Sequence, residues 1–83
     1  MRGFNIVDID CEVYGPVDEE FYAEMLQEGM RLVNLFGDNG LVMLNRDLNR
    51  LNRRLIANRD TDMYEELAEQ ARALRNVIED VMR

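Results

Sequence analysis

Two groups of charged side chains are the residues of this sequence best suited to binding a ligand or a partner. One is a row of arginines within "LNRDLNRLNRRL", residues 44–55. Guanidinium groups on adjacent helical turns can bind phosphates or carboxylates through paired hydrogen bonds. The other is an acidic N-terminal region whose first part has carboxylates at alternate positions. The arginines are Arg46, Arg50, Arg53 and Arg54, and the acids are Asp8, Asp10, Glu12, Asp18, Glu19, Glu20 and Glu24.

Catalysis has few candidate residues. The chain has no histidine, which removes Ser–His and Cys–His pairs and the usual zinc sites. Cys11 is predicted on an apolar side of its segment, where it would act as a small hydrophobic residue. Glu65, Glu66 and Glu69 could hold Mg²⁺, but their helical angles turn them towards solvent. We therefore predict a protein that is not an enzyme, with no catalytic residues, no metal site and no cofactor.

Length and composition predict one domain over residues 1–83, expected in the cytoplasm. A single cysteine excludes an intrachain disulfide, and with it a disulfide-stapled secreted scaffold. The N-terminus has acids where a signal peptide has an apolar run, and no stretch approaches transmembrane length. We expect no membrane association.

Charge is distributed unevenly along the chain, whose net charge is −7. Residues 1–28 contain eight acids and one arginine, residues 29–59 two acids and six arginines, and residues 60–83 seven acids and three arginines. The net charge argues against direct binding of nucleic acid, which depends on attraction to phosphates.

Hydrophobic periodicity predicts one strand and three helices. Apolar and acidic residues alternate over 4–14, which is typical of a strand with one wet face. Helices are predicted over 18–36, 40–57 and 62–82, the first with Asp18 as N-cap. A "GDNG" turn is expected between the first two helices. The apolar face of the first helix comprises Phe21, Tyr22, Met25, Leu26, Gly29, Leu32, Val33, Leu35 and Phe36.

The second predicted helix carries three parallel stripes. Its leucines are spaced alternately three and four residues apart, which is typical of a seam between packed helices. The asparagines form a polar flank, and the arginines lie on the back. Periodicity alone explains the first two stripes, whose members are Leu41, Leu44, Leu48, Leu51 and Leu55, and Asn45, Asn49 and Asn52.

The predicted fold is mainly α: an N-terminal extended strand followed by a three-helix bundle that contains an antiparallel αα-hairpin. The strand has no partner in the chain, and an unpaired strand exposes backbone donors and acceptors. It could pack along the bundle as an extended arm, pair with its own copy in a homodimer, or join a sheet of another protein.

The leading functional hypothesis is a small acidic interaction protein that binds a target protein through its acidic N-terminal region. The target could be a nucleic-acid-binding protein, with this chain acting as a phage-type inhibitor that occupies a basic groove. A simpler interpretation of the acids is a charged edge that resists aggregation.

Two other hypotheses use the arginine row. The first is a structural homo-oligomer in which the acidic strand of one copy meets the arginines of the next. The second is a site for small phosphorylated ligands, although no glycine-rich phosphate loop accompanies it. The simplest interpretation is a solvated helix face whose arginines pair with nearby acids.

Overall fold

Three α-helices make up most of the protein in a computed structural model, which describes residues 6–83. Helix α1 spans Glu19–Phe36, α2 spans Asp38–Ala57 and α3 spans Met63–Met82. Each helix packs against the other two. Because the links between them are as short as Gly37 and residues 58–62, consecutive helices run antiparallel. The prediction of a mainly helical chain with three helices is confirmed.

The core is built around the leucine seam of α2. Leu41, Leu44, Leu48 and Leu55 have no exposed surface, and they pack in one cluster with buried residues of α3 such as Leu74. Complete burial of one leucine side chain stabilises a fold by about 1.5–3 kcal/mol. The spacing of three and four residues places these leucines on one stripe of the helix.

The ends of α1 have identifiable causes. Asp18 caps its N-terminus as predicted, since Asp18 Oδ1 accepts a hydrogen bond of 3.0 Å from the Phe21 amide. At the other end Gly37 has φ 60° and ψ −130°, a conformation open to glycine. Because the chain turns at this one residue, Leu35 and Phe36 are 63% and 51% exposed rather than in the core.

Helix α2 begins at Asp38 instead of residue 40, because the turn needs only Gly37. Gly40 is then buried in the first turn of α2, against the backbone of α1. A Cβ atom at Gly40 would lie 2.6 Å from the carbonyl carbon and oxygen of Leu32. The two helices can approach this closely only because position 40 has no side chain.

The Gly40→Ala variant should therefore be less stable, although alanine is the better helix former by about 1 kcal/mol. The added Cβ forces α1 and α2 apart, and we expect a loss of about 2 kcal/mol in the free energy of unfolding, measured by urea denaturation. The control is Asn39→Ala, at the neighbouring exposed position, which should stay within about 0.5 kcal/mol of wild type. Equal effects of the two variants would contradict the close approach.

Residues 6–17, here called the arm, run along the outside of the bundle as an irregular segment. The side chains of Ile6, Val7, Ile9 and Cys11 pack against the core, whereas Asp8 and Glu12 are exposed. The predicted strand over 4–14 begins outside the described residues, at Phe4 and Asn5. From residue 6 onwards no residue belongs to a β-strand. No helix within residues 6–83 is long and apolar enough to cross a membrane.

Candidate protein-interaction site

Asparagine side chains of α2 hold the first half of the arm. The Val7 amide donates a hydrogen bond of 3.0 Å to Asn45 Oδ1, and the Asp10 amide donates one of 2.7 Å to Asn52 Oδ1. Asn52 Nδ2 donates a further bond of 3.2 Å to the Asp8 carbonyl. Polar backbone groups that a strand partner would have satisfied are bound here by side-chain amides.

The Asn52 carboxamide binds the arm in the way that a neighbouring strand would. A residue in a parallel sheet accepts from one N–H group and donates to a carbonyl two residues earlier on the adjacent strand. Asn52 makes this pair of bonds with Asp10 and Asp8. A carboxamide has the same donor and acceptor as a peptide unit, so one side chain replaces one residue of the missing strand.

The spacing of the two asparagines fits the spacing of the arm. Asn45 and Asn52 are seven residues apart, which is about 10.5 Å along a helix at 1.5 Å per residue. Val7 and Asp10 are three residues apart, about 10 Å in an extended chain. The two repeats therefore match in length. Asn49 lies between them in sequence but is turned outwards, and it makes no hydrogen bond to the described part of the arm.

Residues around the α2–α3 loop hold the middle of the arm. Tyr64 Oη donates a hydrogen bond of 2.9 Å to the Asp10 carbonyl, and Arg59 forms an ion pair of 2.5 Å with the Asp10 carboxylate. An ion pair this exposed contributes little stability, about 0–1 kcal/mol. The contacts with backbone atoms are therefore the ones that fix the path of the arm.

Arg72 of α3 clamps the end of the arm into a loop. It is 8% exposed, and its Nε and Nη1 donate hydrogen bonds of 2.8 Å to the carbonyls of Glu12 and Pro16. Gly15, at φ 156°, lies so close that an added Cβ would be 3.2 Å from the guanidinium carbon of Arg72. Residues 12–16, here called the arm loop, project from this clamp, and the Tyr14 side chain is 89% exposed.

The predicted acidic residues lie along the arm and the start of α1. Asp10 is paired with Arg59, and Asp18 is the N-cap of α1. The Asp18 amide also bonds to the Glu69 carbonyl, which joins the start of α1 to the acidic first turns of α3. The remaining members of the predicted set are all exposed: Asp8, Glu12, Glu19, Glu20 and Glu24.

The predicted arginine row lies along the solvent side of α2, and all four side chains are exposed. Arg50 is 3.5 Å from Asp47. Within residues 6–83 no acid pairs with Arg46, Arg53 or Arg54. Arg50 and Arg54 border a hollow of about 200 Å³ between α1 and α2, here called the arginine-rimmed cleft, which is also lined by Phe21, Met25, Asp47, Leu51, Gln70 and Leu74.

The residues that hold the arm were not predicted as functional from the sequence. Asn45 and Asn52 were interpreted as a polar flank, and Tyr64 as part of an apolar seam. The unpaired strand was the available signal, since its backbone groups needed partners and asparagine can supply both a donor and an acceptor. Arg72 gave no such signal, because an arginine on the polar side of an amphipathic helix is ordinary.

Cys11 lies between the anchored parts of the arm and is half-buried. Burial raises the pKa of the Cys11 thiol above its usual value, so less of it is the reactive thiolate at neutral pH. Within residues 6–83 no three side chains of the histidine, cysteine or carboxylate type lie together in a way that could hold a metal ion.

No protein-family model, no curated protein and no solved structure matches this chain.

The Asn52→Ala variant should release the arm while leaving the bundle folded. It removes two hydrogen bonds, each contributing about 0.5–1.5 kcal/mol, so the free-arm population should rise roughly tenfold. Cys11 reports this release, because its alkylation rate at neutral pH should rise by a similar factor. Asn49→Ala is the control on the same flank and should leave the rate unchanged. Equal rates in the two variants would contradict the assigned contacts.

Proposed function

We propose that this protein is a non-catalytic interaction protein that uses its arm as an acidic docking element for a basic partner protein. The observation that carries the proposal is the division of labour within the arm. Its backbone is bound by side chains of α2 and α3, whereas the carboxylates of Asp8 and Glu12 face solvent.

Anchoring of the backbone matters because a free acidic segment would lose conformational entropy on binding. Fixing one backbone residue costs about 1–2 kcal/mol, so an arm already held in place retains more of its interaction energy for the partner. The exposed acids at the start of α1 extend the negative surface beyond the arm. The expected partner has a complementary basic surface.

A narrower form of this proposal is an inhibitor that occupies the basic groove of a nucleic-acid-binding protein. The net charge of −7 and the exposed acids on a narrow segment support it. A groove that attracts phosphates would also attract these carboxylates, and occupation of the groove would exclude nucleic acid without any catalysis.

The test compares two double variants that each remove two negative charges. Asp8→Asn with Glu12→Gln neutralises the arm, and Glu28→Gln with Glu79→Gln neutralises acids on other parts of α1 and α3. Partners are captured from a lysate of the source organism with the wild-type protein and then purified. We expect the arm variant to lose about tenfold in affinity at low salt, and the control variant to stay close to wild type.

Equal losses in the two variants would mean that net charge alone drives the association, and would contradict the proposal. Failure to capture any basic protein whose binding depends on the arm would also contradict it. For the inhibitor form, the captured protein should lose nucleic-acid binding when the wild-type chain is added. The arm variant should not have this effect at the same concentration.

A further inference from the structure

The arginine-rimmed cleft has the size of a site for one side chain. Its volume of about 200 Å³ is below the roughly 300–1,000 Å³ of pockets that enclose small-molecule ligands. Phe21, Met25 and Leu51 supply apolar walls, and an inserted aromatic ring would gain contacts with both the phenyl ring and the methionine sulfur.

The rim of the cleft adds a requirement for negative charge. Asp47 partly neutralises Arg50 at 3.5 Å, whereas no acid within residues 6–83 pairs with Arg54. Arg54 is therefore the guanidinium that remains open to a carboxylate. The occupant that fits the cleft is an exposed aromatic side chain with an acidic residue close to it in sequence.

The arm loop of this chain has that composition. Tyr14 is 89% exposed, and the exposed Glu12 precedes it by two residues. Arg72 binds the backbone on both sides of Tyr14, at Glu12 and at Pro16, so the loop is held in shape before any contact forms. A fixed loop with an exposed aromatic ring is well suited to act as an anchor residue in an interface.

The arm loop and the cleft lie on opposite sides of the same bundle. Gln70 of α3 lines the cleft, and Arg72 binds the arm. Two residues correspond to about 200° around a helix, so these side chains leave α3 in nearly opposite directions. Tyr14 therefore cannot reach the cleft of its own chain, and a contact between them has to join two copies.

We propose that Tyr14 of one copy inserts into the arginine-rimmed cleft of a second copy, with Glu12 of the first pairing with Arg54 of the second. This inference rests on the proposed function in taking the arm as the docking element, and it names a second copy as its partner. The contact joins two different surfaces, so each bound copy still offers a free loop and a free cleft. Association is then head to tail and continues beyond a dimer.

Sedimentation velocity at increasing protein concentration measures the association. Wild type should form dimers and longer species, and added salt should weaken them. Tyr14→Ser should lower the association constant by about tenfold or more, whereas Tyr14→Phe, which keeps the ring, should associate like wild type.

The cleft is tested by charge reversal at two neighbouring arginines of α2. Arg54→Glu should abolish association, because Glu12 would then meet a negative rim. Arg53→Glu makes the same change in net charge at a position that does not line the cleft, and this variant should still associate. Thermal unfolding curves of both variants should coincide, which shows that the bundle is intact in each.

Mixing the two defective variants separates this contact from any symmetric one. Tyr14→Ser keeps an intact cleft, and Arg54→Glu keeps an intact arm loop. Each should be monomeric alone, and an equimolar mixture should form a dimer and nothing longer, because only one productive contact remains. A mixture that stays monomeric would overturn the proposal, as would equal effects of Arg53→Glu and Arg54→Glu.

The outcomes also distinguish this inference from the proposed function. A wild-type chain that is monomeric at every concentration, yet still captures a basic partner through Asp8 and Glu12, overturns the inference alone. A chain that self-associates through Tyr14 and Arg54, but whose foreign partners ignore the acids of the arm, supports the inference and overturns the capture of a foreign partner.

Discussion

An extended backbone has to find partners for its N–H and C=O groups, and in this protein those partners are side chains of two helices. The Asn52 carboxamide bridges Asp8 and Asp10, and Arg72 joins Glu12 to Pro16. A sheet would require a second strand, whereas this arrangement requires only a few polar residues on surfaces already made by the bundle. The path of the arm, and the exposure of its acids, depend on these bonds.

The bundle itself imposes the second constraint, because its packing decides which residues of α2 can reach the arm. With the leucine seam completely buried, one flank of the helix turns towards α3 and the arm, and the opposite flank turns towards α1. The asparagines lie on the first flank and Arg50 and Arg54 on the second. One helix therefore holds the acidic arm on one side and offers a basic rim on the other.

The parts of the fold that follow a local rule could be predicted from the sequence. Periodicity identified three helices, and the carboxylate of Asp18 identified the start of α1. The alternation of apolar and acidic residues predicted which arm residues face the core. The bonds that hold the arm could not be predicted, because they join residues 38–60 positions apart and leave no periodic pattern. The single-residue turn at Gly37 depends on contact between two helices, which a turn signal does not encode.

Hydrogen exchange of the arm amides in the wild-type protein, followed residue by residue by NMR, tests the central claim most directly. The amides of Val7 and Asp10 donate to asparagine side chains, and that of the exposed Asp8 makes no such bond. We expect the first two amides to exchange about tenfold more slowly than the Asp8 amide, relative to an unfolded chain of the same sequence. Uniformly fast exchange along the arm would contradict the account, because it would mean that α2 does not bind the arm backbone.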